Sequence, residues 1–272
     1  MSIPTTPFTH ETLKKAKESL AKTGHAVIPD VLDTQTIEDI LTRLWAAAET
    51  NTSRGAPTYI PALDPNASNV RVFYLLERDR IFRDLIQHPG ALAIVRHILG
   101  PQILISNFTA NIARPGSGSM QLHSDQSLVV PEPWEEPWAL NIIWCLTDVY
   151  FENGATLYIP GSQSWKRRVE VPASAEEMLV PFTASKGSII AMDARVWHTS
   201  GKNVTVDHDR ALLFGYYTKP FLRQQVNWTA ALGEDVKSEL SEEGRELLGL
   251  NVTANTGKVS DVGIGLEEYE GE

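Results

Sequence analysis

The chain has 272 residues, 42% of them hydrophobic, with 34 acidic against 24 Lys and Arg side chains for a formal net charge of −10. That length and apolar content fit one large folded domain with a real core rather than a disordered chain. The negative balance argues against nucleic acid, which needs a basic face. No apolar run approaches the roughly 18–20 residues of a membrane span. The opening Met-Ser-Ile-Pro-Thr-Thr lacks a basic segment followed by an apolar one, and the closing Glu-Tyr-Glu-Gly-Glu is no peroxisomal or endoplasmic-reticulum address, so a cytoplasmic protein without membrane partners is expected.

Leu13, Ala16 and Leu20 fall at helical spacing between Thr9 and Thr23, with Thr9 as cap and Glu11 in the first turn. Gly24 to Pro29 reads as a short strand. A second helix is expected over 34–50, where Ile37, Ile40, Leu41, Leu44 and Trp45 form an apolar stripe. Residues 51–69, rich in Asn, Thr, Ser, Pro and Ala, read as a long surface loop of the kind that often serves function. A third helical region covers 81–99, broken near Pro89-Gly90.

From Gln102 the texture becomes β-rich. Strands are expected over 103–112, 121–123, 140–146, 156–159, 187–192 and 211–217, separated by Pro115-Gly116, Asn153-Gly154, Pro160-Gly161 and Lys186-Gly187. Helices first and strands later indicate an α+β fold, and many short strands with turn signals suggest a jelly roll. Residues 231–272 carry 11 acids and 3 bases, so −8 of the net −10 sits in a C-terminal extension. Ser238 to Leu250 reads there as a solubilising helix followed by an acidic end, which could instead cap the pocket or a subunit partner, leaving a homodimer open. The single cysteine, Cys145, lies in the run Ile142-Ile143-Trp144-Cys145-Leu146 and reads as a buried small hydrophobe.

The chemistry concentrates at Gln121-Leu122-His123-Ser124-Asp125. In an extended chain, His123 and Asp125 point to one face and can bind one ion. His198 follows 75 residues later, and two His with one carboxylate form the facial triad of non-haem Fe(II) oxygenases. Arg210 leads into the strand Ala211–Tyr217. A buried guanidinium needs an anionic partner, and its planar fork suits a carboxylate such as the distal group of 2-oxoglutarate.

Four words complete a family pattern: Pro115-Gly116 before Gln121–Gln126; Asn153-Gly154-Ala155-Thr156; Pro160-Gly161-Ser162; and His198-Thr199-Ser200-Gly201-x-Asn203 with Arg210. In this order they resemble the phytanoyl-CoA dioxygenase family of Fe(II)- and 2-oxoglutarate-dependent oxygenases, over about residues 24–220. The resemblance implies one dioxygenase domain with a double-stranded β-helix (cupin-like) core and flanking N-terminal helices. It implies iron held by His123, Asp125 and His198, and 2-oxoglutarate held by Arg210 with Thr156, and with Gln121 and Arg71 in supporting parts. O2 is then the co-oxidant, and succinate and CO2 are released. Asp125 points to oxygenation or desaturation, since halogenating relatives lack that carboxylate.

Trp134 and Trp138 flank Glu135-Glu136-Pro137 and are expected either to pin a Pro-rich loop or to wall the substrate pocket; Tyr59, Phe73 and Phe221 are weaker candidates for the wall. Asp207-His208-Asp209 reads as a solvated turn, and Lys166-Arg167-Arg168 as a basic edge facing water rather than a CoA-phosphate site. The expected substrate is a small, largely apolar organic molecule, a natural-product intermediate. An acyl-CoA or amino-acid-derived hydroxylase is the alternative within the enzyme class, and a non-catalytic metabolite-binding jelly roll the alternative outside it.

Overall fold

All seven residues of Ala139–Cys145 are buried, because this strand is covered on both faces. Leu140, Ile142 and Trp144 face a layer of helices, whereas Ile143 and Cys145 face a second, smaller sheet. The computed structural model describes residues 7–251 and builds everything else around this three-layer arrangement.

The helical layer comes from the N-terminal half. α1 (His10–Thr23) starts on Thr9, whose side chain accepts from the Thr12 amide, and ends on Gly24 in the left-handed region. α2 (Thr34–Ser53) starts on Asp33 and buries Ile37, Ile40, Leu44 and Ala47. After the short α3 (Leu75–Arg78) come α4 (Arg80–Ile86) and α5 (Pro89–Leu99), parted at Pro89 as expected. Pro89 sits where its missing N–H costs nothing, and the His88 ring accepts from the Ala91 amide.

The large antiparallel sheet has six strands: β1 (His25–Ile28), β7 (Ile189–Asp193), β4 (Ala139–Cys145), β9 (Arg210–Thr218), β3 (Leu104–Ala113) and β2 (Asn69–Val72), in that spatial order. The small sheet pairs β6 (Val180–Pro181), β5 (Thr156–Tyr158) and β8 (His198–Ser200). Alternation along β9 sends Ala211, Leu213 and Tyr217 to the helices, and Leu212 and Phe214 to the space between the sheets. The jelly-roll expectation is met, although the two sheets do not close into a continuous barrel.

Three local expectations change. The strand over 121–123 reduces to a single bridge between His123 and His198, after which Asp125–Leu128 turns into a 3₁₀ helix. β2, of which only Asn69 fell within the loop expected over 51–69, and α3, where no element was expected, are ordered by pairing with β3 and packing on the core. The helix expected over 238–250 is two short ones, α6 (Glu234–Ser238) and α7 (Glu242–Leu247), because Ser241 caps a new helix by accepting from the Gly244 amide. The acidic end beyond Asn251 lies outside the described residues.

Candidate active site

His123 and His198 face one another across their bridge, with main-chain hydrogen bonds of 3.0 and 2.8 Å in the two directions. Each ring donates from Nδ1 to a carbonyl two residues earlier, His123 to Gln121 (2.8 Å) and His198 to Val196 (2.9 Å). Since a carbonyl only accepts, Nδ1 carries the proton in both rings, and each Nε2 presents a lone pair. Asp125 Oδ1 lies 3.6 Å from His123 Nε2 and 3.9 Å from His198 Nε2, and the ligand atoms of all three residues lie within 4.8 Å of one another. Asn141 Nδ2 donates to Asp125 Oδ2 at 2.6 Å, which leaves Oδ1 for an ion. Burial holds the His198 imidazole below its ordinary pKa against the pull of Asp125, favouring the neutral, ligating form. Donor identity, tautomer and spacing thus fit a divalent ion held on one face with the opposite face open.

The triad opens into a cavity of about 180 Å³ lined by the inner faces of β3, β4, β7, β8 and β9. Arg210, 1% exposed, lines it. Its Nε donates to Gly154 O (3.0 Å), Nη1 to Asn111 O (3.1 Å) and Nη2 to Asn111 Oδ1 (3.1 Å), all neutral acceptors. Burial pulls its pKa down to about 10, so it still carries full charge at neutral pH. No acidic side chain among the described residues pairs with it. A buried cation without a counter-charge is costly, and a carboxylate entering the cavity would supply one.

The neighbouring words explain how this cation is placed. Gly154 adopts a positive φ of 83°, and a Cβ there would sit 3.2 Å from Ala113 Cβ, Asn203 N and Gly201 O, so the turn that aims its carbonyl at Arg210 favours glycine. Asn153 and Asn203 form a bridge beside it; Asn153 Nδ2 donates to Asp148 O and Asn203 Nδ2 to Ala113 O. Thr156, at the start of β5, also lines the cavity.

Other expected site residues fall elsewhere. Arg71 lines the cavity, but Asp64, whose side chain is wholly buried, already meets its charge at 2.6 Å. This pair fastens the 54–68 loop to β2. Gln121 is exposed and does not line the cavity; its main-chain carbonyl, not its side chain, serves the site by orienting His123.

None of the five expected aromatics lines the cavity. Trp134 is buried at 1% exposure and donates to Val129 O at 2.8 Å, pinning the Pro-rich loop. Trp138 and the exposed Phe221 make an edge contact with centroids 5.8 Å apart. Tyr59 is half-buried, and Phe73 packs against Tyr74. The aromatics that do face the site are Phe214 and Tyr216. Their signal was present, since they follow Arg210 at even spacing along one strand. Asn107, Thr109 and Asn111 line the cavity from β3 by the same period. Lys166 and Arg168 are tied to Glu135 and to Ser127 O, and His208 pairs with Asp207 in an exposed turn; neither cluster lines the cavity.

Comparison with known proteins agrees with this geometry. The phytanoyl-CoA dioxygenase (PhyH) family matches residues 20–211. Dioxygenase af480 of Aspergillus fumigatus is 51% identical over 239 residues, covering 88% of this chain and 77% of that protein. Dioxygenase andF of Emericella variicolor is 26% identical over 199 residues, covering 69% and 68%. Among solved structures, HygX from Streptomyces hygroscopicus with nickel and 2-oxoglutarate bound superposes with a TM-score of 0.63 at 18% identity, over 80% of this chain and 89% of that one. The non-haem alpha-ketoglutarate-dependent epimerase SnoN from nogalamycin biosynthesis gives 0.63 at 19%, over 78% and 82%. A triad able to hold a metal ion, a buried guanidinium without an acidic partner and these relatives together make the protein a non-haem Fe(II)- and 2-oxoglutarate-dependent dioxygenase, and the chain belongs to the phytanoyl-CoA dioxygenase family.

Proposed function

We propose that the enzyme oxidises a C–H bond of a small organic molecule, a natural-product intermediate, in the cavity between the two sheets. For a hydroxylation the balance is R–H, 2-oxoglutarate and O2 giving R–OH, succinate and CO2; desaturation and ring rearrangement begin from the same loss of hydrogen. The observation that carries this reading is the buried, acid-free Arg210 facing the same cavity as three ligands whose lone pairs converge.

His123, Asp125 and His198 would hold the iron, which supplies O2 activation when bound. Asn141 keeps Asp125 turned to present a single oxygen, and the Gln121 and Val196 carbonyls keep both imidazoles in the ligating tautomer. Arg210 and Thr156 anchor the cosubstrate, whose distal carboxylate offsets the guanidinium charge. Phe214, Met120 and Met192 present apolar surface to the remaining space and keep water from it.

An acyl-CoA substrate is disfavoured, because Lys166 and Arg168 are engaged by the Pro-rich loop and Arg71 by Asp64. No helix among the described residues is long and apolar enough to cross a membrane. A cytoplasmic enzyme without nucleic-acid or membrane partners, whether monomer or homodimer, completes the proposal. Anaerobic addition of Fe(II) and 2-oxoglutarate should give the weak visible charge-transfer band of this coordination, and its absence in the wild type would refute the reading.

A further inference from the structure

Once the cosubstrate is assigned to Arg210, the opposite end of β9 remains. There the pairing register lines up Asn107, Tyr216, Asn141 and Met192 across four adjacent strands, all facing the cavity. Asn141 is engaged with Asp125. Asn107 hydrogen-bonds Gln225 at 3.0 Å, and both side chains line the cavity. Whichever way these two amides are turned, one bond between them leaves a free carbonyl oxygen and free N–H groups. The Tyr216 hydroxyl has no hydrogen-bond partner among the described residues and can both donate and accept.

Charge at this end is accounted for. The cations lining the cavity are Arg210, given to the cosubstrate, and Arg71, neutralised by Asp64; the carboxylate is Asp125, given to the metal. Among the lining residues nothing is left to meet an ammonium, a second carboxylate or a phosphate, and drawing any of these past the exposed Gln225 into the cavity unpaired is expensive. Asn107, Tyr216 and Gln225, uncharged polar groups with spare donors and acceptors, remain beside Met192, with Thr109 paired to Phe214 next to them.

We infer that Asn107, Tyr216 and Gln225 form the substrate-recognition end of the cavity, and that the substrate is an uncharged, carbon-rich molecule carrying a hydroxyl or carbonyl group there. The inference rests on the dioxygenase reading, because that reading removes Arg210 and the triad from the groups open to substrate.

The test uses the full chain loaded with Zn(II) and 2-oxoglutarate, which can bind but not turn over. Four probes on one bicyclic skeleton are titrated by calorimetry: borneol, camphor, bornylamine and bornane-2-carboxylate. Borneol and camphor are expected to bind, with the ammonium and the carboxylate at least about tenfold weaker. Tyr216→Phe and the double variant Asn107→Leu/Gln225→Leu are each expected to weaken borneol binding by roughly 5- to 30-fold. Titrating 2-oxoglutarate into the same variants separates a local loss from a failure to fold. Equal or tighter binding of a charged probe, unchanged borneol affinity in folded variants, or no binding of either neutral probe would each overturn the inference. The dioxygenase reading fails on a separate measurement, the lack of 2-oxoglutarate binding by the wild type, so the two failures stay distinct.

Discussion

Replacing Arg210 by Met removes the charge while keeping an unbranched chain of similar reach. In the native protein this guanidinium is 1% exposed and bonded only to Gly154 O, Asn111 O and Asn111 Oδ1, so an incoming carboxylate is its first counter-charge. Truncating one partner of a buried, hydrogen-bonded charge pair costs about 2–5 kcal/mol. At 1.4 kcal/mol per tenfold, the 2-oxoglutarate Kd should rise roughly 30- to 3000-fold. Calorimetric titration of the Zn(II)-loaded protein reads this directly. Ligand-induced stabilisation gives an independent measure: at 100 times the wild-type Kd, 2-oxoglutarate should stabilise the wild type by about 2.7 kcal/mol, and a variant weakened 1000-fold by less than about 0.1 kcal/mol. Arg210→Lys, which keeps the charge but loses the fork, should fall between the two. An unchanged affinity in Arg210→Met would refute the reasoning and shift the anchor to another cation, with Arg71 the nearest alternative.

Three further predictions follow from the geometry. Asn141→Leu removes the donor at 2.6 Å from Asp125 Oδ2 and should weaken metal binding about 10- to 100-fold in a competitive chelator titration; full affinity would mean the carboxylate needs no such support. Cys145 is fully buried, and burial pushes its thiol up to about 12, so a maleimide at pH 7.5 should label the denatured protein and leave the native one unmodified. His25 packs against the stacked rings of Tyr158 and Phe182, with centroids 4.4 and 5.2 Å away, and burial lowers its pKa below 6.5 in the folded state. Because the unfolded chain then takes up the proton more readily, stability should fall as the pH drops through 6.5 towards the lower native value. His25→Gln should flatten that limb of a pH series of urea melts; an identical slope would place the acid sensitivity elsewhere.

What was legible in the sequence is what depends on local pattern. The periodicity of α1, α2 and α5, with caps at Thr9 and a break at Pro89, reappears because helix boundaries are set by side chains within a few residues of the ends. The β-rich half, the turn glycines and the ligand spacing at His123, Asp125 and His198 were likewise readable, since only a few residue types serve those backbone and donor roles. Local inference had limits. The expected strand at 121–123 is one bridge, and of the two readings open for Trp134 the pinned loop holds, while neither it nor Trp138 lines the cavity. Proximity along the chain says little about which face of an element meets which neighbour.

The remaining features arise from residues far apart in sequence. Arg71 was visible as a cation near the site, but its pairing with Asp64 follows from how the 54–68 loop folds back on β2. Asn141 is the one polar residue of the strand Ala139–Cys145 apart from its cysteine, and the register of β4 with the turn at Asp125 brings it against that carboxylate. Tyr216, Asn107 and Gln225 come together because β9 pairs with β3 while the segment after β9 returns over it. Side-chain chemistry and the order of motifs along the chain name the metal and the cosubstrate; the register between strands distant in sequence sets which charges are already neutralised, and therefore what the cavity can accept.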